Sequence, residues 1–450
     1  MIRFFTFLVI VFSTSSSFAN SLVGAWEGDL IIPGGKLKFI IHIAQENSSW
    51  TAKADSPQQG VFNIPGKISV DADSAIHVEI QGGITYNGKL KDKATLVGEF
   101  QQSGYKTELV LSKSYKTVLK RTQKVNPPYA YDTANVKFRN EHDALSLSGT
   151  LTFPKEKGIY PAVILVSGSG PQDRNSTIFG HETFKVLADY LTKNKIVVLR
   201  YDDRGIGQSE GNFNKSTIAD FSRDAVAALD YLKKQPQVDA KRIGIIGHSE
   251  GGLIAELLAG QKYPQLSFIV SLAGPSVSID ELMVEQLYKV GKVSGLSEEQ
   301  LAANRVINAK NFSILKSNLS DAEAYEALKE NMKNIPGYTA ESSNELNQLL
   351  APSFRYFMKI EPEIFIRKIS IPVFAAFGSL DVQVDANQNI YGLQTNLRKN
   401  SKNKIIEYPK LNHLFQTAST GSVNEYATIE ETFNAQVMKD IANWIQQLKN

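Results

Sequence analysis

The 450-residue chain has the composition of an ordinary folded protein, with 42% hydrophobic and 21% charged residues, so it can bury a large core. A formal net charge of +3 without a block of like charges excludes a basic arm of the kind that binds nucleic acid, and we expect no nucleic-acid partner. No cysteine is present, which excludes disulfides and a lipid anchor on cysteine. The length predicts two or three domains.

Residues 1–19 have the pattern of a secretory signal peptide. Arg3 supplies the positive charge, residues 4–12 form the apolar stretch, and Ser17-Phe18-Ala19 resembles a small-residue cleavage site. The apolar stretch is too short for a bilayer, which takes about 20 residues. We therefore expect cleavage after Ala19, no stable membrane anchor, and a mature chain in the periplasm or outside the cell.

Residues 20–113 predict an all-β sandwich or small barrel, because short alternating runs recur about every 8–12 residues between turn signals. About 90 residues are too few for a multi-bladed propeller. His42 and His77 lie in these runs without metal-ligand spacing, so we expect packed or surface side chains. The predicted strands are 24–31, 36–43, 67–70, 75–80, 95–100 and 106–111, and the predicted turn pairs are Gly34-Gly35, Gly82-Gly83 and Asn87-Gly88.

Residues 114–134 predict a linker. The stretch from Lys113 to Pro128 is rich in basic residues and ends in Pro127-Pro128. This composition indicates a solvated segment with a stiff polyproline end.

From residue 135 to residue 450 strands and helices alternate, which predicts a doubly wound, mostly parallel sheet. A leading hairpin is expected at 136–139 and 145–153. The near-continuous apolar runs are typical of buried parallel strands. Those strands are predicted at 162–166, 196–201, 267–272, 371–377 and 404–408, and helices at 182–193, 218–234 and 429–448.

The sequence Gly247-His248-Ser249-Glu250-Gly251-Gly252 lies between an apolar strand and a helical pattern. A G-x-S-x-G motif in a strand-turn-helix context exposes the serine hydroxyl on a strained turn, and the glycines let strand and helix approach closely. The helix N-terminus favours developing negative charge. Ser249 is therefore the candidate nucleophile.

A long insert, at about 274–370, separates two predicted strands beyond the serine. Capping-box patterns begin at Ser297 and Ser320, so the insert is expected to be helical. An insertion of this length beside the nucleophile's face of the sheet predicts a cap over the site.

A serine nucleophile needs a base and an orienting acid, which in this scaffold follow in the order serine, acid, histidine. Of the six histidines only His413 follows Ser249, in a loop past the last strand. Asp381 lies in the turn directly after a strand, whereas Asp385 resembles a helix N-cap. We expect Asp381 to accept the His413 ring N–H. Glu250 is an alternative acid because it adjoins the nucleophile.

The oxyanion donors are expected to be two backbone N–H groups. The first is that of Glu250. The second should come from the loop Ser167-Gly168-Ser169-Gly170-Pro171-Gln172-Asp173-Arg174, where position favours Ser169. The charges of the following loop, Asp202-Asp203-Arg204, fit no phosphate-binding pattern and indicate a structural network, as do Asp173 and Arg174.

With these residues identified, the chain from about 135 to 450 resembles the α/β-hydrolase superfamily. The resemblance rests on the serine elbow, Asp-x-Arg-Gly-x-Gly-x-Ser at 202–209, Gly-x-x-Asp-x-x-Val at 378–384, and His413. The 167–174 and 247–252 strings are similar to those of exported bacterial hydrolases, serine aminopeptidase-like or dienelactone-hydrolase-like, with a small β domain in front. The oxyanion loop departs from the commoner His-Gly pattern by carrying Ser167.

Three functions follow from this interpretation. The first is a serine carboxylesterase for small or medium acyl esters, with no metal or organic cofactor. The second is a peptidase on a short peptide, which as an aminopeptidase would need cap carboxylates for the substrate's amino group. The third is a catalytically silent binding protein, in which Trp26 and Trp50 could form platforms but are better explained as core residues. The cap carboxylates are Glu281, Glu285, Glu298, Glu299, Glu341, Glu345, Glu361 and Glu363.

Overall fold

The computed structural model divides into two compact units, one ending at Leu119 and the other beginning at Lys120. The predicted signal peptide and the glutamates Glu341 and Glu345 lie outside the residues that the structure describes. No helix in the described part of the chain is both long and apolar enough to cross a membrane. The described residues are 22–448 except 33–34, 47–48, 57–60, 72–74, 103, 115–120, 334–345 and 348.

The first unit is a closed antiparallel barrel of eight strands, in which each strand pairs with the next and β8 closes on β1. The sequence prediction of a sandwich or small barrel missed β3 and β6. The strands are β1 Gly24–Ile32, β2 Gly35–Glu46, β3 Ser49–Ser56, β4 Val61–Val70, β5 Ala75–Ile80, β6 Ile84–Asp92, β7 Thr95–Gln102 and β8 Tyr105–Ser114.

The predicted turn at Asn87-Gly88 is wrong, because both residues lie inside β6. Gly88 pairs with Gly98 of β7. A Cβ on Gly98 would lie only 2.1 Å from the Asn87 carbonyl oxygen and 2.5 Å from the Gly88 Cα. The two glycines therefore permit a close contact between β6 and β7. The Asn-Gly pair, which by itself is typical of a turn, here lies within a strand. The turn at Gly82-Gly83 is confirmed.

Large apolar side chains fill the barrel core, including Trp26, Phe39, Tyr86 and Phe100. The Trp26 indole donates a hydrogen bond to the Leu22 carbonyl oxygen at 2.7 Å, which satisfies its one polar atom. Trp26 is thus a core residue, as expected. Trp50 is partly buried and packs against the same cluster.

The second unit contains an eight-stranded sheet in the order β18-β17-β16-β15-β11-β14-β10-β9. The hairpin of β9 and β10 is confirmed. The other six strands, β14, β11, β15, β16, β17 and β18 in sheet order, pair in parallel with their neighbours in that row. The strands β12 and β13 form a separate two-stranded antiparallel sheet. The strands of this unit are β9 Asp132–Asn140, β10 Leu145–Phe153, β11 Tyr160–Val166, β12 Thr177–Ile178, β13 His181–Glu182, β14 Val197–Tyr201, β15 Val238–His248, β16 Phe268–Leu272, β17 Val373–Gly378 and β18 Lys404–Tyr408.

Helices flank this sheet and form most of the insert. Both predicted capping boxes, at Ser297 and Ser320, are present. The last helix begins at Ala435 with Asn434 as its N-cap, so its predicted start at residue 429 is wrong. The helices are α1 Thr183–Lys193, α2 Ile218–Lys233, α3 Glu250–Gly260, α4 Ile279–Val293, α5 Glu298–Lys316, α6 Asp321–Met332, α7 Pro352–Met358, α8 Pro362–Ile366, α9 Ala386–Asn396 and α10 Ala435–Gln447.

The prediction of a solvated linker is wrong for Arg121 and Gln123. The Arg121 guanidinium donates hydrogen bonds to the carbonyl oxygens of Phe179 and Ala427, at 2.8 and 3.0 Å. The Gln123 side-chain oxygen accepts from the Phe433 N–H at 2.9 Å. Both side chains thus bind the backbone of the segment that precedes α10.

Glu256 is a fully buried carboxyl group on α3, seven positions beyond Ser249. Its Oε1 accepts hydrogen bonds from the hydroxyls of Ser271 and Ser276, at 2.8 and 3.3 Å. Its Oε2 has no partner among the described residues. Burial raises the Glu256 pKa from 4.5 to about 8, so the neutral acid is the form that suits this environment.

We expect this group to make stability depend on pH. Because the folded pKa is raised, the contribution of Glu256 to stability is complete below pH 4.5 and is lost as the pH rises toward about 8. The slope for one proton is about 1.4 kcal/mol per pH unit. Glu256→Gln should therefore gain melting temperature relative to the wild type from about pH 5 to pH 8. The exposed Glu299→Gln is the control, and parallel melting curves for both variants would contradict the expectation.

Candidate active site

Ser249 lies in the turn between β15 and α3, with backbone angles φ 54° and ψ −119°. A positive φ is unfavourable for a residue with a Cβ and marks a strained position. The turn is possible because a Cβ on Gly247 would lie 1.9 Å from the Gly251 carbonyl oxygen, and a Cβ on Gly251 would lie 2.1 Å from the Val166 carbonyl oxygen. The structure therefore has the strained strand-to-helix turn expected of a nucleophile elbow.

His413 and Asp381 are in direct contact. The His413 Nδ1 lies 2.8 Å from the Asp381 Oδ2, and both side chains are buried. The Asp381 Oδ1 accepts the N–H groups of Gln383 and Val384 at 2.8 and 2.9 Å. Since the carboxylate can only accept, Nδ1 carries the proton and Nε2 is left as the basic nitrogen. The predicted acid and base are thus brought together in the orientation that the chemistry requires.

Asp385 has the different position expected for it. It is the N-cap of α9, and its Oδ1 accepts from the Gln388 N–H at 2.8 Å. It also forms an ion pair with Lys289. Asp385 therefore serves the helix rather than His413.

Ser249, His413, Glu250 and Ser169 line one cavity of about 620 Å³. Within the described chain there is no hydrogen bond between Ser249 and His413; such contacts often tighten only when substrate binds. The insert supplies much of the wall. Its cavity-facing residues are Pro275, Leu282, Met283, Gln286, Ala351, Ser353, Phe354 and Phe357.

The two residues expected to supply the oxyanion donors both line this cavity and come from different elements. Glu250 begins α3, and Ser169 belongs to the loop after β11. Neither backbone N–H donates a hydrogen bond to another described residue. Two free donors beside the nucleophile are compatible with an oxyanion hole, and the assignment of Ser169 stays a prediction.

The loop charges form the structural network that was expected. Arg174 holds Asp202 with two guanidinium contacts, at 2.9 and 2.6 Å. Arg204 is buried and pairs with Asp224 and Asp143, each at 2.7 Å. Asp173 accepts the Asn175 and Thr177 N–H groups. None of these six charged side chains, Arg174, Asp202, Arg204, Asp224, Asp143 and Asp173, lines the 620 Å³ cavity.

Sequence reasoning missed the role of His248, which it considered only as a possible base. The His248 Nε2–H donates a hydrogen bond to the His413 carbonyl oxygen at 2.8 Å, and the two rings are 4.7 Å apart. Burial lowers the His248 pKa to about 3, and the nearby His413 ring acts in the same direction. A neutral imidazole here supports the His413 loop without adding a second positive charge.

A known protein family matches the part of the chain that contains these site residues. Residues 181–416, which include Ser249, Asp381 and His413, match the family model described as serine aminopeptidase, S33. The chain belongs to this family of α/β-hydrolases.

Individual relatives cover less of the chain. Esterase EstD of Thermotoga maritima is 27% identical over 303 residues, which are 66% of this chain and 65% of the esterase, so the match spans less than two thirds of that relative. Dipeptidyl-peptidase 5 of Porphyromonas gingivalis is 29% identical over 126 residues, 27% of this chain and 18% of the peptidase. Among solved structures, the Pyrococcus furiosus esterase PF2001 is 18% identical with a TM-score of 0.44, covering 72% of this chain and 98% of that one.

The cap glutamates do not face the site. None of the six that the structure describes lines the 620 Å³ cavity. Several have partners elsewhere: Glu285 pairs with Arg305, Glu298 with Lys292, and Glu361 with Lys316. The requirement of an aminopeptidase for a cap carboxylate is therefore not met by the described glutamates.

We expect the His248 contact to be needed for an activated Ser249. His248→Phe removes the donor to the His413 carbonyl oxygen and lets the loop move, and a misplacement of about 1 Å can cost about 100-fold in rate. The measurement is the second-order rate of Ser249 labelling by a fluorophosphonate. We expect a loss of about 10- to 100-fold for Phe and a partial recovery for His248→Gln, which keeps a donor near Nε2. Equal labelling rates in all three proteins would disprove the role.

Proposed function

We propose that the protein is a serine carboxylesterase that acts on small or medium acyl esters through an acyl-enzyme on Ser249. The observation that carries the proposal is the contact of Asp381 with His413, which lines the same cavity as the strained Ser249. Burial and two backbone N–H groups keep the Asp381 carboxylate in a single orientation. That rigidity is what an orienting acid requires.

The proposed reaction has two steps. In the first, His413 Nε2 takes the Ser249 hydroxyl proton while Oγ forms a bond to the ester carbonyl carbon, and the protonated His413 then gives its proton to the departing alcohol. In the second, His413 takes a proton from water, the hydroxide oxygen attacks the acyl carbon, and the acid leaves as Ser249 regains its proton. Asp381 stabilises the imidazolium in both steps, and the N–H groups of Glu250 and Ser169 hold the oxyanion.

Ester substrates suit the cavity better than substrates with a free amino group. Recognition of an ammonium requires a carboxylate, and Glu250 supplies the one carboxyl group that lines the described cavity. That carboxyl accepts the Ser169 hydroxyl at 3.1 Å, and burial raises its pKa, which favours the neutral acid. A carboxyl group that already accepts a hydroxyl and whose charged form is disfavoured is a poor site for an ammonium group.

Cavity size supports a limited acyl chain. A volume of about 620 Å³ lies in the range of small-molecule pockets, about 300–1,000 Å³. Phe354, Phe357, Leu282 and Met283 supply apolar surface for an acyl group. The similarity to the esterase of Thermotoga maritima favours the same reaction class.

We expect a pair of aspartate variants to separate catalysis from folding. Asp381→Asn should lower kcat by about 10³- to 10⁴-fold, because an amide facing Nδ1 favours the wrong His413 tautomer. Asp385→Asn should leave kcat within about twofold, because an asparagine is also a good N-cap and loses only the Lys289 ion pair. The measurement is p-nitrophenyl ester hydrolysis beside a thermal melt of each protein. Comparable kcat losses in the two variants would contradict the assignment of the acid.

Substrate class is tested with p-nitrophenyl esters of graded acyl length beside aminoacyl p-nitroanilides. We expect turnover of the esters with an optimum at short to medium chains, where the acyl group fills the apolar cavity, and little turnover of the anilides. Ser249→Ala should abolish the activity. Preferential anilide turnover would instead support the peptidase, and failure of the folded wild type to turn over any substrate or to react with a fluorophosphonate would overturn the proposal.

A further inference from the structure

The two proposed oxyanion donors are joined to each other through their own side chains. The Ser169 hydroxyl donates a hydrogen bond to the Glu250 Oε2 at 3.1 Å. Ser169 belongs to the loop after β11, and Glu250 is the first residue of the helix after Ser249. One hydrogen bond therefore spans the gap between the two elements that would have to hold a single oxygen atom.

A second carboxyl group holds the other side of the same loop. The Asp203 Oδ1 accepts the Ser167 hydroxyl at 2.8 Å, and its Oδ2 accepts the Gln172 N–H at 2.9 Å. The Asp203 N–H in turn donates to the Gln172 carbonyl oxygen at 3.1 Å. Asp203 thus closes a ring of hydrogen bonds across the base of the loop 167–172.

These two carboxyl groups face a common interior. Asp203 and Glu250 both line a small cavity with room for about one water molecule, together with Ser167, Gly168 and Tyr201. A Cβ on Gly168 would lie 3.1 Å from the Ser249 Cβ, so the loop packs directly against the nucleophile. A change in the position of this loop would therefore be felt at Ser249.

We propose that Glu250 and Asp203 are positioning residues that hold the loop 167–172 at the distance from Ser249 at which its N–H can bind the oxyanion. This inference rests on the proposed function. Glu250 acts here through its side chain, in addition to the backbone N–H already assigned to it. Asp203 does not line the substrate cavity and acts only through the loop.

The electrostatics are compatible with this role. Burial raises the pKa of Glu250 and raises that of Asp203 to about 7, where the Glu250 charge adds to the effect. The raised Glu250 pKa works against a negative charge beside a developing oxyanion, and the hydrogen bond from Ser169 needs only an acceptor oxygen on Glu250. Asp224, which also raises the Asp203 pKa, has its charge balanced by Arg204.

The test is a double-mutant cycle on ester hydrolysis with Ser169→Ala, Glu250→Ala and the double variant. Because both single changes remove the same hydrogen bond, we expect each to lower kcat by about 10- to 100-fold, below the full cost of a lost oxyanion donor, with KM within about twofold. The double variant should be no slower than the slower single variant. Asp203→Asn should also lower kcat, since an amide cannot accept both donors as the carboxylate does. The exposed Ser313→Ala is the matched control.

Two further readouts exclude a merely structural effect. Glu250→Gln retains an acceptor for Ser169 and should restore most of the kcat that Ala loses. The affinity for a trifluoromethyl ketone, whose adduct with Ser249 carries an oxyanion, should fall in parallel with kcat/KM. Multiplicative losses in the double variant, no recovery with Gln, or unchanged inhibitor affinity would each overturn the inference.

Failure of the proposed function is distinguishable from failure of this inference. If the wild type hydrolyses no ester, the esterase proposal falls, and the same variants are compared by fluorophosphonate labelling of Ser249, whose phosphoryl oxygen also occupies the oxyanion site. Slower labelling of Ser169→Ala and Glu250→Ala, without further loss in the double variant, would still support the positioning role. Wild-type labelling rates in both would overturn it.

Discussion

The close approach of the chain on both sides of Ser249 is the constraint on which the rest of the site depends. A Cβ at Gly247 would lie 1.9 Å from the Gly251 carbonyl oxygen, and a Cβ at Gly251 would lie 2.1 Å from the Val166 carbonyl oxygen. Without those side chains, α3 can begin directly where β15 ends, and Ser249 takes up the strain of its positive φ. The hydroxyl, the Glu250 N–H and the loop after β11 then have fixed places relative to one another.

The remaining groups reach Ser249 through the sheet rather than through local sequence. Asp381 follows β17 and His413 follows β18, and these neighbouring strands run parallel, so their carboxyl ends lie at the same edge. His248, at the end of β15, then touches the His413 carbonyl oxygen across a sequence separation of 165 residues. His413 is thus held by two contacts: its ring binds Asp381, which follows the neighbouring strand, and its carbonyl oxygen accepts from His248, which directly precedes Ser249.

This division explains what the sequence could and could not predict. The strand-helix alternation, the turn at Ser249 and the N-cap role of Asp385 depend on local pattern, which the sequence carries. Other features depend on distant partners: the bond of Arg121 to the Ala427 carbonyl oxygen, 306 positions away, the β6 location of Asn87-Gly88, and the side-chain contact of Glu250. Local pattern carries no signal for such contacts.

Neighbouring carboxyl groups show how the fold separates charge from the proposed oxyanion. Burial acts to raise the pKa of both Asp202 and Asp203, but the Arg174 guanidinium and its N–H reverse this effect for Asp202, whose pKa is lowered overall. Among the described residues, the Asp203 carboxyl group accepts hydrogen bonds only from the Ser167 hydroxyl and the Gln172 N–H, and its pKa rises to about 7. Glu250 and Glu256, also without a cation, shift in the same direction. Burial thus disfavours the charged form of Asp203, Glu250 and Glu256, whereas Asp202 keeps a cation beside it. The Asp381 carboxylate is bound differently, because two backbone N–H groups and the His413 ring contact its oxygens.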